Sequence, residues 1–257
     1  MPTPPETSPE RIAEAIRSVP AWYHVIDFGG GTVSPGYYDM RPHLPAYRFP
    51  AGLKGFSVLD VGASNGFFSF LFERLGAARV VAVELRSVLD HDIPEWVRTD
   101  LIRRYSVEEL AAVDHQELCA GFETAHALLG SRVERLRARV YDLPDRTDET
   151  FDWAFCGSVL YHLRDPVAAL EAIRRVVKPG GGVVVATPVH EHAPEISSAL
   201  FVGEATKCAW WTFSPAALVR AATAAGFRSV AYQGDFTLVS ALDPAAVHRI
   251  GVLHAEA

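Results

Sequence analysis

Cysteine is scarce in this 257-residue chain: there are three, Cys119, Cys156 and Cys208, far apart and without a C-x-x-C pair. An odd, scattered set excludes a disulfide framework and a structural zinc site. Long apolar runs are missing too. The longest, Gly182 to Val189, is strand-length, against the roughly 18–20 residues a membrane span needs. Positive charge is in deficit, with 24 Lys and Arg against 31 Asp and Glu, a net charge of −7 and a pI near 5.8. That balance argues against a protein that grips phosphates along a nucleic acid. The start, MPTPPETSPE, has neither a basic region nor an apolar core, so no signal peptide is expected there. What is present is apolar residue, at 49%, which excludes a disordered chain and supplies one large or two small cores. An intracellular, cytoplasmic enzyme-like domain is the expectation.

Residues 1–10 read as a disordered tail. Residues 11–53 read as a helix followed by a lid. The helix is expected over Pro9 to Val19, from the spacing of Ile12 and Ile16. The aromatic segment Trp22 to Phe28 and the Gly29-Gly30-Gly31 run suggest a surface hairpin. Its Trp22, Tyr23, His24, Tyr37 and Tyr38 are candidates for covering a pocket. From residue 54 to 257 the pattern is α/β. Phe56–Val61 reads as a strand, Gly66–Leu75 as a helix and Arg79–Leu85 as a strand, a βαβ unit that implies a parallel sheet. Further strands are expected ending at Val140, over Phe151–Cys156 and over Val183–Thr187. The helix Pro166–Val177 is stopped by Lys178 to Gly182. Ser214-Pro215 opens a last helix, and Phe227–Tyr232 with Asp235–Ser240 reads as a closing antiparallel pair. Two stretches exceed ordinary connections, about 87–132 and 189–212, and long loops in compact domains are often functional.

The strongest motif is VLDVGASNGFFSF followed by VVAVEL. Asp60 and Gly62 fall at a strand's carboxyl end, and Gly66 opens the helix. Ligands of open α/β sheets bind at that edge, where glycine lets backbone approach closely. Glu84 ends the next strand, where a carboxylate can take both ribose hydroxyls. The spacing is D-x-G-x-x-x-G rather than G-x-G-x-x-G, which suits a pyrophosphate poorly.

At these residues the chain resembles the class I S-adenosylmethionine-dependent methyltransferases, over roughly Lys54 to Ser240. The resemblance implies a Rossmann-like seven-stranded sheet flanked by helices. It also implies S-adenosylmethionine as cofactor, held by Asp60, Gly62, Ala63, Ser64, Gly66, Glu84, Tyr141, Asp142 and Ser158. FDWAFCGSVLYHLRDP, VVKPGG and VVVATP match the family's fourth and fifth strands. GSVLYHLRDPVAAL, with Leu160-Tyr161-His162 and Arg164-Asp165-Pro166, is similar to the subgroup of tRNA wobble-uridine transferases and small-molecule O-methyltransferases. The carboxymethylating members carry an R-K-G-P segment that this chain lacks, so ordinary methyl transfer is expected.

Methylating an alcohol requires removal of its proton, and a histidine suits that near neutral pH. His162 is the first candidate base, with Tyr161 and His190 as further catalytic candidates. Arg164, Trp210 and Trp211 join the substrate candidates. The quinone-type metal pattern is absent, because Ser158 and Tyr161 stand where its glutamates would be. A divalent cation such as magnesium on Asp165, Glu191 and His190 stays open, and no metal ligand is assigned. The expected acceptor is a small hydroxylated molecule, a sugar or secondary metabolite, with no membrane and no nucleic acid. A homodimer stays open. The alternatives are a tRNA wobble-uridine methyltransferase and a non-catalytic cofactor-binding scaffold.

Overall fold

Alternation along Ser57–Val61 sends Val58 to one core and Leu59 and Val61 to the other, the period-two signature of a strand covered on both faces. The computed structural model describes residues 8–257; the tail expected over 1–10 lies outside it up to Thr7. Pro9 and Glu10 already belong to a helix that Ser8 caps.

The strands are β1 (Trp22–His24), β2 (Gly36–Tyr38), β3 (Ser57–Val61), β4 (Arg79–Glu84), β5 (Glu134–Arg137), β6 (Phe151–Gly157), β7 (Val177–Pro188), β8 (Ala199–Glu204), β9 (Ala209–Phe213), β10 (Arg228–Val239) and β11 (Val247–Glu256). The helices are α1 (Pro9–Ser18), α2 (Leu44–Tyr47), α3 (Phe67–Arg74), α4 (Glu95–Arg104), α5 (Val107–His115), α6 (Gly121–Leu129), α7 (Leu143–Arg146), α8 (Pro166–Arg175) and α9 (Pro215–Ala224). Seven strands form the central sheet in the order β10-β11-β7-β6-β3-β4-β5. β5, β4, β3, β6 and β7 run parallel, and β11 and β10 run antiparallel. This is the expected α/β Rossmann-like sheet.

The chain leaves β3 toward β4 and β5, then returns to β6 on β3's other side. That reversal opens a crevice at the carboxyl ends of β3 and β6. An aromatic core lies on one sheet face, with Tyr47, Phe49, Phe68 and Phe72 around Phe155. α8 and α9 cover the other face, burying Leu170, Ile173 and Leu218.

Several expectations need correction. Lys178 to Gly182 follows the end of α8 as expected but falls within β7: Phe151 pairs with Val177 and Trp153 with Gly182, so the residues between bulge out of register, with Gly180 at φ +77°. Phe227–Tyr232 and Asp235–Ser240 are not partners of each other. They form one bulged strand, β10, on β11, which local patterning did not reveal. Val140 starts a 3-10 turn instead of ending a strand. The lid segment is not a simple hairpin: Asp27 bridges Val33 antiparallel, and β2 then lies parallel to β1. The 87–132 stretch holds α4, α5, a π-helical turn over Gln116–Ala120 and α6. The 189–212 stretch holds most of the β8–β9 hairpin.

Candidate active site

A cavity of about 410 Å³ opens at the crevice, toward the low end of the range usual for small-molecule sites, ~300–1,000 Å³. Its floor is the turn after β3. Gly62 holds φ +77°, and a Cβ there would come within 2.3 Å of the Val159 side chain, so backbone freedom and close packing both require glycine. Ser64 also takes a positive φ, 50°. Its N–H donates to Glu84 Oε2 at 2.9 Å, and the Leu85 N–H donates to Oε1 at 2.8 Å. Two backbone donors hold the carboxylate at the end of β4, on the cavity wall, with lone pairs left for a ligand.

Gly62, Ser64, Glu84, Tyr141 and Ser158 line this cavity, as do Tyr23, His24, Tyr38, Tyr161 and His162. The other candidates lie elsewhere. Asp60 is buried beneath the floor, where alternation along β3 points it at α3 and the Ser69 hydroxyl bonds it. Burial raises its pKa to about 7. Ala63 donates to the Val83 carbonyl, and Gly66 caps α3. Asp142, next to Tyr141, is not on the wall. Trp22 is buried and donates to the Ile16 carbonyl at 3.1 Å, so it anchors the segment rather than covering a ligand. Tyr37 is exposed and off the wall. His190 reaches the Ser198 carbonyl, off the wall, and its Nδ1 is buried without a partner. The oxygen-rich set disperses: Asp165 caps α8, and Glu191 pairs with Arg249. The His115, Cys119 and Glu123 ligand atoms lie within 4.8 Å of one another, away from the cavity wall.

His162 sits on the 3-10 turn after β6. Its Nδ1 lies 2.9 Å from the Cys208 carbonyl. A carbonyl only accepts, so Nδ1 carries the proton and Nε2 presents a lone pair. Nε2 has no protein partner among the described residues. Burial holds the pKa down to about 4, so the ring is neutral at physiological pH. The Tyr161 ring lies against it, tilted by 37°, with ring centroids 3.7 Å apart. Burial raises the Tyr161 phenol, and the nearby Tyr23 and Tyr38 add to that. Tyr23 and Tyr38 lie 5.2 Å apart, and the Tyr38 hydroxyl meets His248 Nε2 at 3.2 Å. Four chain segments therefore bring their hydroxyls and imidazoles together at one end of the cavity.

Sequence reasoning missed Asp92, the tie across the mouth. Its buried carboxylate accepts from the Arg164 N–H and Nε at 2.7 Å and from the Tyr141 hydroxyl at 2.8 Å. Burial pushes its pKa up, but these bonds outweigh that and hold it below the usual range. Its carbonyl accepts from Trp210 Nε1 at 3.0 Å, and Trp211 Nε1 donates to the Arg164 carbonyl at 3.3 Å. Arg164, Trp210 and Trp211 are thus fastened into the wall's support rather than free for a substrate. The signal available was Arg164 itself, a cation within the motif that could pair with a carboxylate from elsewhere in the chain. His91, Glu117 and Arg139, also on the wall, carried no motif.

Residues 37–232 match the family described as a methyltransferase domain. The chain is 26% identical over 191 residues to a tRNA U34 carboxymethyltransferase of Cellvibrio japonicus, covering 72% of this chain and 49% of that one. It is 32% identical over 135 residues to a ubiquinone biosynthesis O-methyltransferase of Xanthomonas campestris pv. campestris, covering 52% and 44%. The chain thus spans about half the length of the curated relatives it matches. Among solved structures, the N-terminal domain of EvdMO1, crystallised with SAH and D-fucose, superposes with a TM-score of 0.64 at 19% identity, covering 98% and 97%. At that identity the likeness is one of fold.

Proposed function

As a member of the methyltransferase domain family, the chain has a premise for its chemistry, and we propose that it transfers the methyl group of S-adenosylmethionine to a hydroxyl of a small molecule. The observation that carries this reading is the pairing, in one cavity, of the Glu84 carboxylate with the open Nε2 of His162.

The residues fit the cofactor. Glu84 keeps acceptor capacity for two ribose hydroxyls, and the strained turn at Gly62 and Ser64 brings backbone close to the cavity without a side chain at Gly62. Tyr141, fixed by Asp92, supplies a flat wall for the adenine. When bound, S-adenosylmethionine supplies an electrophilic methyl on a sulfonium. The protein's part is positioning and proton removal. His162 Nε2 takes the proton of the acceptor hydroxyl, and the Cys208 carbonyl steadies the imidazolium through Nδ1–H. Tyr161 packs against the imidazole and limits its rotation.

The names of the tRNA U34 relatives keep tRNA as the second reading. Methyl-labelled S-adenosylmethionine, offered with hydroxylated small molecules and separately with bulk tRNA, decides between them. Label in small-molecule products is expected. Label only in tRNA would replace this reading with the second.

A further inference from the structure

The cavity's charge is lopsided. Four carboxylates line it, Glu84, Asp90, Asp92 and Glu117, and a single guanidinium, Arg139; Asp92 is already paired with Arg164 from behind the wall, which leaves three carboxylates without an ion pair to a lining cation. Arg139 is partly spent: it lies 3.9 Å from Asp92 and over the Tyr141 ring, beside the expected adenine wall. The end around His162 has no lysine or arginine at all among its lining residues. Its polar groups are Tyr23, Tyr38, Tyr161, His24 and His162, with His91 close enough to act on His162; burial lowers the His91 pKa too. Burial keeps these phenols protonated and these imidazoles neutral. His24 Nδ1 is fully buried with no partner.

An anion entering this end would lose water and meet no cationic side chain; the sulfonium of a bound donor would be the one positive charge within reach. The anion would also face the carboxylates further along the wall, where the low-dielectric surroundings weaken screening. A neutral hydroxyl meets donors and acceptors of matching strength. Resting on the reading of the cavity as a methyl-transfer site, we propose that the acceptor is uncharged: a free hydroxylated molecule, not its phosphorylated, carboxylated or nucleotide-linked form. The same balance disfavours a donor whose transferred group bears a carboxylate.

The test uses the full chain, methyl-labelled S-adenosylmethionine and acceptors in matched pairs. Catechol is set against its ring-carboxylated counterpart, and methyl glucoside against glucose phosphate. Label should enter an uncharged member, with kcat/KM for the charged one at least about tenfold lower. The gap should change little as salt rises, because charges inside the cavity are poorly screened. Equal or preferred labelling of a charged member overturns the inference while leaving methyl transfer standing. Where no pair is labelled, calorimetry with S-adenosylmethionine and its carboxylated derivative decides. Binding of the carboxylated donor at least about tenfold weaker supports the inference, and equal or tighter binding overturns it. If neither donor binds, the methyl-donor reading fails, and this inference falls with it.

Discussion

The two ends of the cavity are built by different means. The Glu84 end comes from one stretch of about two dozen residues, with a turn of fixed backbone and a carboxylate held by backbone N–H groups. The His162 end is assembled from β1, β2, the turn after β6 and the carbonyl of Cys208. The first is set chiefly by local conformation, with Val159 packed against the turn at Gly62. The second exists only when distant segments dock. On the function proposed above, binding of a shared cofactor falls to the first kind of construction, and recognition of a particular acceptor to the second.

The sharpest way to break that division is at His162. His162→Ala should lower turnover by roughly 10²–10⁴-fold, with cofactor affinity by calorimetry nearly unchanged. Because burial holds its pKa near 4, the acid limb of kcat/KM should fall there and the rate should stay flat through neutrality. An acid limb near pH 6.5, or a matched loss of cofactor affinity, would mean that the two ends are not separable.

Glu84→Ala is the reciprocal experiment. Each lost charge-assisted bond to a ribose hydroxyl is worth about 1.5–3 kcal/mol, so cofactor affinity should drop at least tenfold. Turnover at saturating cofactor should change far less. Unchanged affinity would remove Glu84 from the site.

These differences also explain what could be read in advance. The placement of Gly62 and Glu84 on the cavity was legible because it follows from one turn and from the end of one strand. Asp92 was not, because its role appears only when Arg164, Tyr141 and Trp210 arrive from elsewhere. Trp22 was misread for a related reason: an aromatic in a glycine-rich segment looks the same in sequence whether it covers a ligand or anchors a helix. The break expected between Tyr232 and Asp235 is only a kink in β10, with Gly234 at φ +115° and β11 pairing on either side of it.

Asp92 links the two ends, so its removal blurs the comparison rather than breaking it. Asp92→Ala leaves the Tyr141 hydroxyl and the half-exposed Arg164 without their acceptor. A stability loss of about 1–3 kcal/mol follows, read in urea unfolding. Cofactor affinity should weaken severalfold as the Tyr141 wall loosens, and Asp92→Asn, which keeps an acceptor, should restore most of it. Failure of Asn to restore affinity would mean that charge, rather than the bond to Tyr141, is what Asp92 supplies.

Asp60 should have the smallest effect on function, although it stands in the strongest motif. It lies under the floor, bonded to Ser69, and touches neither end of the cavity. Asp60→Asn should leave cofactor affinity within about twofold, since a substitution away from the ligand with its hydrogen-bonding shape kept changes little. Its signature is in stability against pH. Burial raises the folded pKa to about 7, whereas an unfolded aspartate titrates near ~3.9. Between those values the folded chain keeps a proton that the unfolded chain releases, so stability falls as pH rises across that window and levels off above it. Asparagine cannot ionise, so the variant's unfolding midpoint should lose that part of the slope between about pH 4 and 7. If the slope persists while affinity collapses, Asp60 is ionised and reaches the ligand. The motif's first acid would then belong to the binding surface and not to its foundation.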